Sequence, residues 1–487
     1  MKKRIPALFL SAAILTALLA SCGDKTTSPT DQTDTTDGGT GSAETEAVTE
    51  AFSDGLPDTD YGGRAFRVAV GIDSAFEFEA ESLNGNVEND AVYERNTRIE
   101  ERFNIDIQPV VYAFSVADNY DTLARAVMAD EDICDLAGFE VWNFYRATTK
   151  GIYQDWRDTK YIQFDKPWWN QEINDNATFN QKLLGLTGTL ALTYMQNTCA
   201  IFFNSTLLGN YDIDMNELYQ MVKDGKWTLD ALNKMVTDIY EDLNGNGKRD
   251  DDDRYGYGGG DWCGLDVWPA AFEIPITSKA PDGSLTVEIA GEKTYTALER
   301  VYDLLYNNVG AHWADELAID HARTFVNNQY VFYQTYLLSA FTTFRDMTDP
   351  YGVLPQPKMD EAQARYHNLV LDGYTIWGLP VTVQDTDFVS MITEALCADT
   401  YHNVYPVYYD IAMKSKYTQD PDTAAMVDII VGNASFDVAF MYGVYLENLP
   451  YLFRDCLIAK STDFASKYAK VEKSIRSKLD SVYELYK

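Results

Sequence analysis

The chain has 487 residues with 39 Lys+Arg against 75 Asp+Glu, a formal net charge of −36. That length holds two or more domain-sized units, and 46% hydrophobic with 13% aromatic residues sets it apart from disordered acidic chains. Such a charge repels phosphate backbones and anionic lipid, which excludes general nucleic-acid binding and a polybasic membrane anchor.

The first residues stand apart from the globular body. Lys2, Lys3 and Arg4 precede an apolar run, Ala7 to Ala20, that is short for a bilayer span and ends in Leu19-Ala20-Ser21-Cys22. This resembles a bacterial lipoprotein signal: residues 1–21 are removed, and Cys22 is acylated, as with palmitate, and becomes the mature N-terminus. Residues 22–60 are dense in Thr, Asp, Gly, Ser and Glu, with too little apolar surface to offset ordering entropy, and read as a disordered tether. The other cysteines, Cys134, Cys199, Cys263, Cys397 and Cys456, are scattered, with no CxxC pair, and read as buried thiols.

The body opens on alternating elements. Ala65–Val70 reads as a strand, 89–103 as a helix, Ile105–Val111 as a strand, 119–128 as a helix and Ile133–Ala137 as a third strand. This order predicts parallel pairing with right-handed crossovers, and a ligand cleft beyond the carboxyl ends of the strands. Glu140 and Trp142 follow the third strand. Further on, Thr198–Phe203 reads as a strand, and 214–223, 228–241, 295–308 and 319–327 as helices. Strands at 352–355 and 374–377 precede a mainly helical last third.

Residues from about 64 to the end resemble an extracellular solute-binding protein of an ABC importer, in the family-1-like class that takes sugars and oligosaccharides. The resemblance rests on Cys22, Leu184-Gly185-Leu186-Thr187-Gly188, Ile201-Phe202-Phe203-Asn204, Gly225-Lys226-Trp227-Thr228, Arg345-Asp346-Met347 and Tyr351 to Lys358. Ser205 departs from the Lys that many relatives carry after that Asn. The resemblance implies an α/β, two-lobed periplasmic-binding-protein-like fold of the class II type, each lobe a sheet flanked by helices, with chain crossings at a hinge. By analogy, lobe one is 64–200 plus 348–400 and lobe two is 201–347 plus 401–487. It also implies a monomer on the extracellular face of the cell membrane, held by its lipid alone, with importer permease subunits as partners.

Catalytic signatures are missing. There is no GxxxxGK[ST], GxSxG or HExxH, and His312, His321, His367 and His402 lack metal-ligand spacing. The first expectation is therefore a binding protein that captures a carbohydrate for import and is no enzyme. The alternative is a surface polysaccharide hydrolase or lyase, which needs only two carboxylates at a set separation. Sugars present apolar C–H faces ringed by hydroxyls, so aromatic platforms edged by carboxylates are the candidates. These are Trp142, Trp262, Trp268, Tyr374 and Trp377, with Glu140, Asp266 and Asp372 beside them. The expected ligand is a neutral oligosaccharide stacked on one or more of the four tryptophans. Trp168, Trp169 and Trp227 are assigned to scaffold.

One motif points to a metal. From Asp242 to Asp253, oxygen side chains fall at loop positions 1, 3, 5, 9 and 12 (Asp242, Asn244, Asn246, Asp250 and Asp253), with Gly247 at the turn position. Position 7, Lys248, serves through its carbonyl. The expectation is a structural calcium ion, weakened by Asp253 where a longer Glu is usual.

Overall fold

The computed structural model describes residues 53–112, 116–260, 263–280, 283–314, 321–413 and 421–487. Cys22, the signal segment and most of the expected tether lie outside the described residues, as does Trp262.

The first sheet contains β1 (Arg64–Gly71), β2 (Ile105–Tyr112), β3 (Leu136–Glu140), β4 (Gly185–Leu186) and β14 (Thr375–Gly378), ordered β2-β1-β3-β14-β4. β1 is parallel to β2 and β3, as the alternating pattern predicts, while β14 returns antiparallel to β3 and β4. β3 starts three residues later than expected. Asp135 ends the incoming loop by accepting from the Arg67 backbone N–H at 2.7 Å and from its guanidinium at 2.8 Å. The helix Val87–Phe103 between β1 and β2 is capped by the Asn86 side chain and ends at Asn104 in the left-handed region.

The second sheet holds β5 (Cys199–Asn204), β6 (Tyr240–Glu241), β7 (Arg254–Gly259), β10 (Ala311–Trp313), β11 (Tyr330–Tyr336) and β12 (Tyr351–Leu354), ordered β10-β7-β11-β5-β12 with β6 on β7. The hairpin of β8 (Thr277–Lys279) and β9 (Leu285–Val287) stands beside it. The chain therefore folds as two α/β lobes.

Three expected boundaries move. β12, placed by sequence in lobe one, pairs with β5 in the second sheet, because Gly352 leaves room for the Phe203 ring. The helix Tyr405–Met413, placed in lobe two, touches Val87–Phe103 of the first lobe as well as Leu338–Phe341 and Pro421–Gly432. The tether, expected to reach residue 60, is docked from Asp54, a buried carboxylate held by Arg102 at 2.5 Å.

The chain passes between the sheets through adjacent segments. Thr198 and Val370 form an antiparallel bridge, and Leu371 N–H donates to Asn197 O at 3.0 Å. β13 (Asn368–Leu369) runs parallel to β15 (Ala434–Ser435) beside them. Cys134, Cys199, Cys397 and Cys456 are buried within the apolar core.

Candidate functional site

A cavity of 710 Å³ opens where β1 and β3 end and where β11 gives way to the short helix Leu338–Phe341. Its position follows from the topology, since two parallel strands stop side by side and leave a crevice at their carboxyl ends. After β1 a tight turn, Ile72–Glu77, presents Asp73, Ser74 and Phe76. After β3 the helix Val141–Thr148 begins at once, placing Glu140 at its N-cap and Trp142 in its first turn. The crossing segment supplies Thr193, Gln196 and Asn197, and the far wall is Leu338, Phe341 and Thr342.

Four carboxyl side chains line this cavity, Asp73, Glu79, Glu88 and Glu140, with no basic residue among the described residues of the lining. Glu140 Oε2 accepts from Asn143 Nδ2 at 3.0 Å, which fixes its orientation. Glu88 Oε1 takes Arg345 Nη2 at 3.2 Å, while its Oε2 is buried without a partner among the described residues. Beneath the floor lies Glu77, fully buried, its Oε1 held by the Thr193 N–H at 3.0 Å and hydroxyl at 2.9 Å. Burial pushes this carboxyl up to about 7, against the hydrogen bonds from Thr193.

Trp142 also lines a second cavity of 500 Å³, so the two meet at its indole. The second is walled by Asp266, Asp372, Tyr451, Arg454 and Asp455. Arg454 Nη1 donates to Asp266 Oδ2 at 2.6 Å, and the Tyr451 hydroxyl donates to Asp372 Oδ2. Asp266 Oδ1 is buried with no partner among the described residues. Burial raises the carboxyls of Asp266 and Asp372, and Arg454 opposes that rise in both.

Of the residues expected from sequence, Glu140, Trp142, Asp266 and Asp372 come together around this double cavity. Trp268, Tyr374 and Trp377 do not, since all three are fully buried. A ring with no exposed face cannot stack on a sugar, so these are core residues. Trp268 packs on Phe272 with ring centroids 5.5 Å apart, and Tyr374 meets Tyr194 edge-on at 5.2 Å. Trp168 and Trp169 both donate their indole N–H to Glu394 at 2.9 Å, and Trp227 donates to Pro355 O at 2.9 Å, which is scaffold work. Sequence reasoning missed Asp73, Phe76, Phe341, Tyr451 and Arg454. The first two follow the end of β1 directly, so the strand-end rule pointed to them.

The Asp242–Asp253 loop is the tip of the β6–β7 hairpin rather than the end of a helix. The expected helix 228–241 stops at Val236, and Glu241 pairs with Arg254, whose guanidinium reaches its carboxylate at 2.6 Å. The loop coils around its own carboxylates. Asp242 accepts from the N–H groups of Gly245 at 2.7 Å and Gly247 at 2.8 Å, and Asp250 accepts from the Asn246 amide at 2.7 Å. Asp253 is buried, taking Tyr240 OH at 3.0 Å and Leu243 N–H at 3.2 Å. Gly245 and Gly247 sit at φ +69° and +70°, a conformation other residues resist. Among the described residues no three His, Cys, Asp or Glu side chains cluster as a metal site, so a cation here would draw on the Asn carbonyls and the Lys248 carbonyl.

No protein-family profile matches the chain, and no curated protein matches it in sequence. Solved structures do. The chain is similar to the cyclic α-maltosyl-1,6-maltose binding protein from Arthrobacter globiformis at TM-score 0.56 and 11% identity, over 86% of this chain and 100% of that one. It is similar to an ABC substrate-binding protein from Listeria monocytogenes in complex with cycloalternan at TM-score 0.53 and 15% identity, over 87% and 98%. A third likeness is to UgpB from Mycobacterium tuberculosis in complex with glycerophosphocholine, at TM-score 0.54 and 13% identity, over 86% and 99%. At identities this low the structural likeness shows the fold alone, that of the two-lobed periplasmic binding proteins.

Proposed function

We propose that this protein captures a carbohydrate, an oligosaccharide by the size of the cleft, and delivers it to an ABC importer. The observation that carries the reading is the double cavity between the lobes, with Trp142 at its centre and carboxylates and amides around it. Of the structural neighbours named above, one is a cyclic α-maltosyl-1,6-maltose binding protein and another an ABC substrate-binding protein in complex with cycloalternan, which supports capture without turnover. The spacing at Cys22 supports a lipid anchor at the extracellular face, and no helix among the described residues is long and apolar enough to cross a membrane.

Capture and hydrolysis separate in one assay. Incubation with a glycan panel is expected to raise the melting temperature for one class of ligand without producing new reducing ends. A ligand at 100-fold its dissociation constant adds about 2.7 kcal/mol. Small-angle scattering with that ligand should show compaction, as for a hinged pair of lobes. Turnover of the glycan would replace this reading with the hydrolase.

We also propose a structural calcium ion in the Asp242–Asp253 loop, held by Asp242, Asn244, Asn246, the Lys248 carbonyl, Asp250 and Asp253. Its support is the oxygen spacing together with the convergence of Asp242, Asn244, Asn246 and Asp250 on one tight coil.

A further inference from the structure

The charge around the cleft is one-sided. Four carboxylates line the larger cavity and three the smaller, against Arg454 as the single basic side chain among the described residues of either lining. Around the smaller cavity the carboxylates act on one another. Asp266 feels Asp372 and Asp455, and Asp372 feels Glu140. One guanidinium facing this group leaves it short of positive charge. It is already committed to Asp266 Oδ2, and its face lies 4.4 Å from the Tyr451 ring centroid.

A neutral sugar relieves this only partly. Its hydroxyls can donate to carboxylates, but closure of the lobes would remove more water and push these already raised carboxyls further toward their neutral form, whereas a cation beside them would hold them ionised. Asp266, whose Oδ1 is buried with no partner among the described residues, lines both this cavity and the neighbouring one beside Glu273 and Asp437. A metal ion fits poorly, because no three carboxylates draw together here among the described residues. They are spread around 500 Å³, room for a sugar ring rather than a bare ion. Trp142 completes the arrangement, since an indole face attracts a cation held over it.

We propose that the end of the cleft between Trp142, Asp266 and Asp372 binds a protonated amine, so that the captured carbohydrate is an oligosaccharide with free amino groups. This rests on the carbohydrate reading above and replaces the neutral ligand expected from sequence. The shared chemistry, an ammonium among carboxylates, also belongs to polyamines, and the test separates the two.

The test is calorimetric titration of the wild-type protein with four probes: β-1,4-linked glucosamine oligosaccharides, their N-acetylated counterparts, cello-oligosaccharides of equal length, and spermidine. The glucosamine series is expected to bind at least about tenfold tighter than either neutral series, a margin that shrinks with added salt. Asp372→Asn keeps an acceptor for Tyr451, and should reduce that preference about tenfold while the melting temperature holds. Equal or tighter binding of the neutral glycans overturns the proposal and leaves carbohydrate capture standing. Spermidine binding as tightly as the amino sugar overturns the sugar part. Binding by no carbohydrate at all, charged or neutral, overturns the parent reading and this one with it.

Discussion

Gly138 and Trp377 are directly opposed on β3 and β14, and the indole lies flat across the space a side chain at 138 would fill. A Cβ on Gly138 would stand 2.7 Å from Cε3 of Trp377. The tryptophan is thus locked against the sheet, with Trp156 Nε1 donating to its carbonyl at 3.0 Å. Gly138→Ala is expected to cost about 1–3 kcal/mol by overpacking, and Trp377→Ala about 3–5 kcal/mol by cavity formation. Urea denaturation measures both. Trp377→Ala with unchanged stability and lost ligand binding would return this residue to the cleft.

Glu77 predicts an unusual pH dependence. Unfolded, its carboxyl titrates near 4.5, and folded, burial holds it up to about 7. Between those values the folded chain keeps a proton that the unfolded chain has released, so stability falls as pH rises through this window and levels off above it. The full effect is on the order of 3 kcal/mol. Glu77→Gln keeps the acceptor for Thr193 and removes the titration. Its melting temperature should therefore lose the part of the decline between pH 5 and 7 that wild type shows. Parallel curves for the two proteins would show that Glu77 is ionised throughout.

Much of the fold was legible because its elements repeat a simple alternation. The first three strands and their parallel order follow from apolar runs separated by one amphipathic helix each. Glu140 and Trp142 were legible for the same reason, since they follow a strand end. Trp268, Tyr374 and Trp377 misled because an aromatic side chain is equally suited to a core and to a sugar platform. Their burial is decided by partners far away in sequence, such as Gly138. Arg454 and Tyr451 had no local signal at all, because helices from the last third bring them to the cleft. β12 was placed in the wrong lobe since a four-residue strand carries no mark of its partner.

The calcium ion proposed for the Asp242–Asp253 loop predicts a response to chelation. EGTA should lower the melting temperature, and calcium should restore it where magnesium does so poorly, the loop being built from carboxylates and amides on a flexible coil. Saturation at 100-fold the dissociation constant is worth about 2.7 kcal/mol. Asp242→Ala should abolish the response, since both of its oxygens anchor the coil. A melting curve indifferent to EGTA, with no calcium binding by calorimetry, would leave the loop as a self-bonded hairpin tip.

The crossing segments predict where rigidity controls capture. Thr198 and Val370 bridge the two passages between the sheets through backbone bonds alone. Leu371→Pro would remove the N–H that donates to Asn197 O at 3.0 Å across this bridge. The loss of that bond should destabilise the hinge by about 1–3 kcal/mol and weaken glycan binding together with stability. Unchanged ligand-induced compaction in scattering would show that closure does not pass through this bridge.

The most direct measurement is calorimetric titration of wild type and Trp142→Ala with the carbohydrate panel. Wild type is expected to bind one glycan per chain, and the variant to lose roughly 2–4 kcal/mol of binding with its melting temperature preserved, as for a central aromatic anchor. A glycan that binds both proteins equally, or a wild type that binds no carbohydrate, would contradict it.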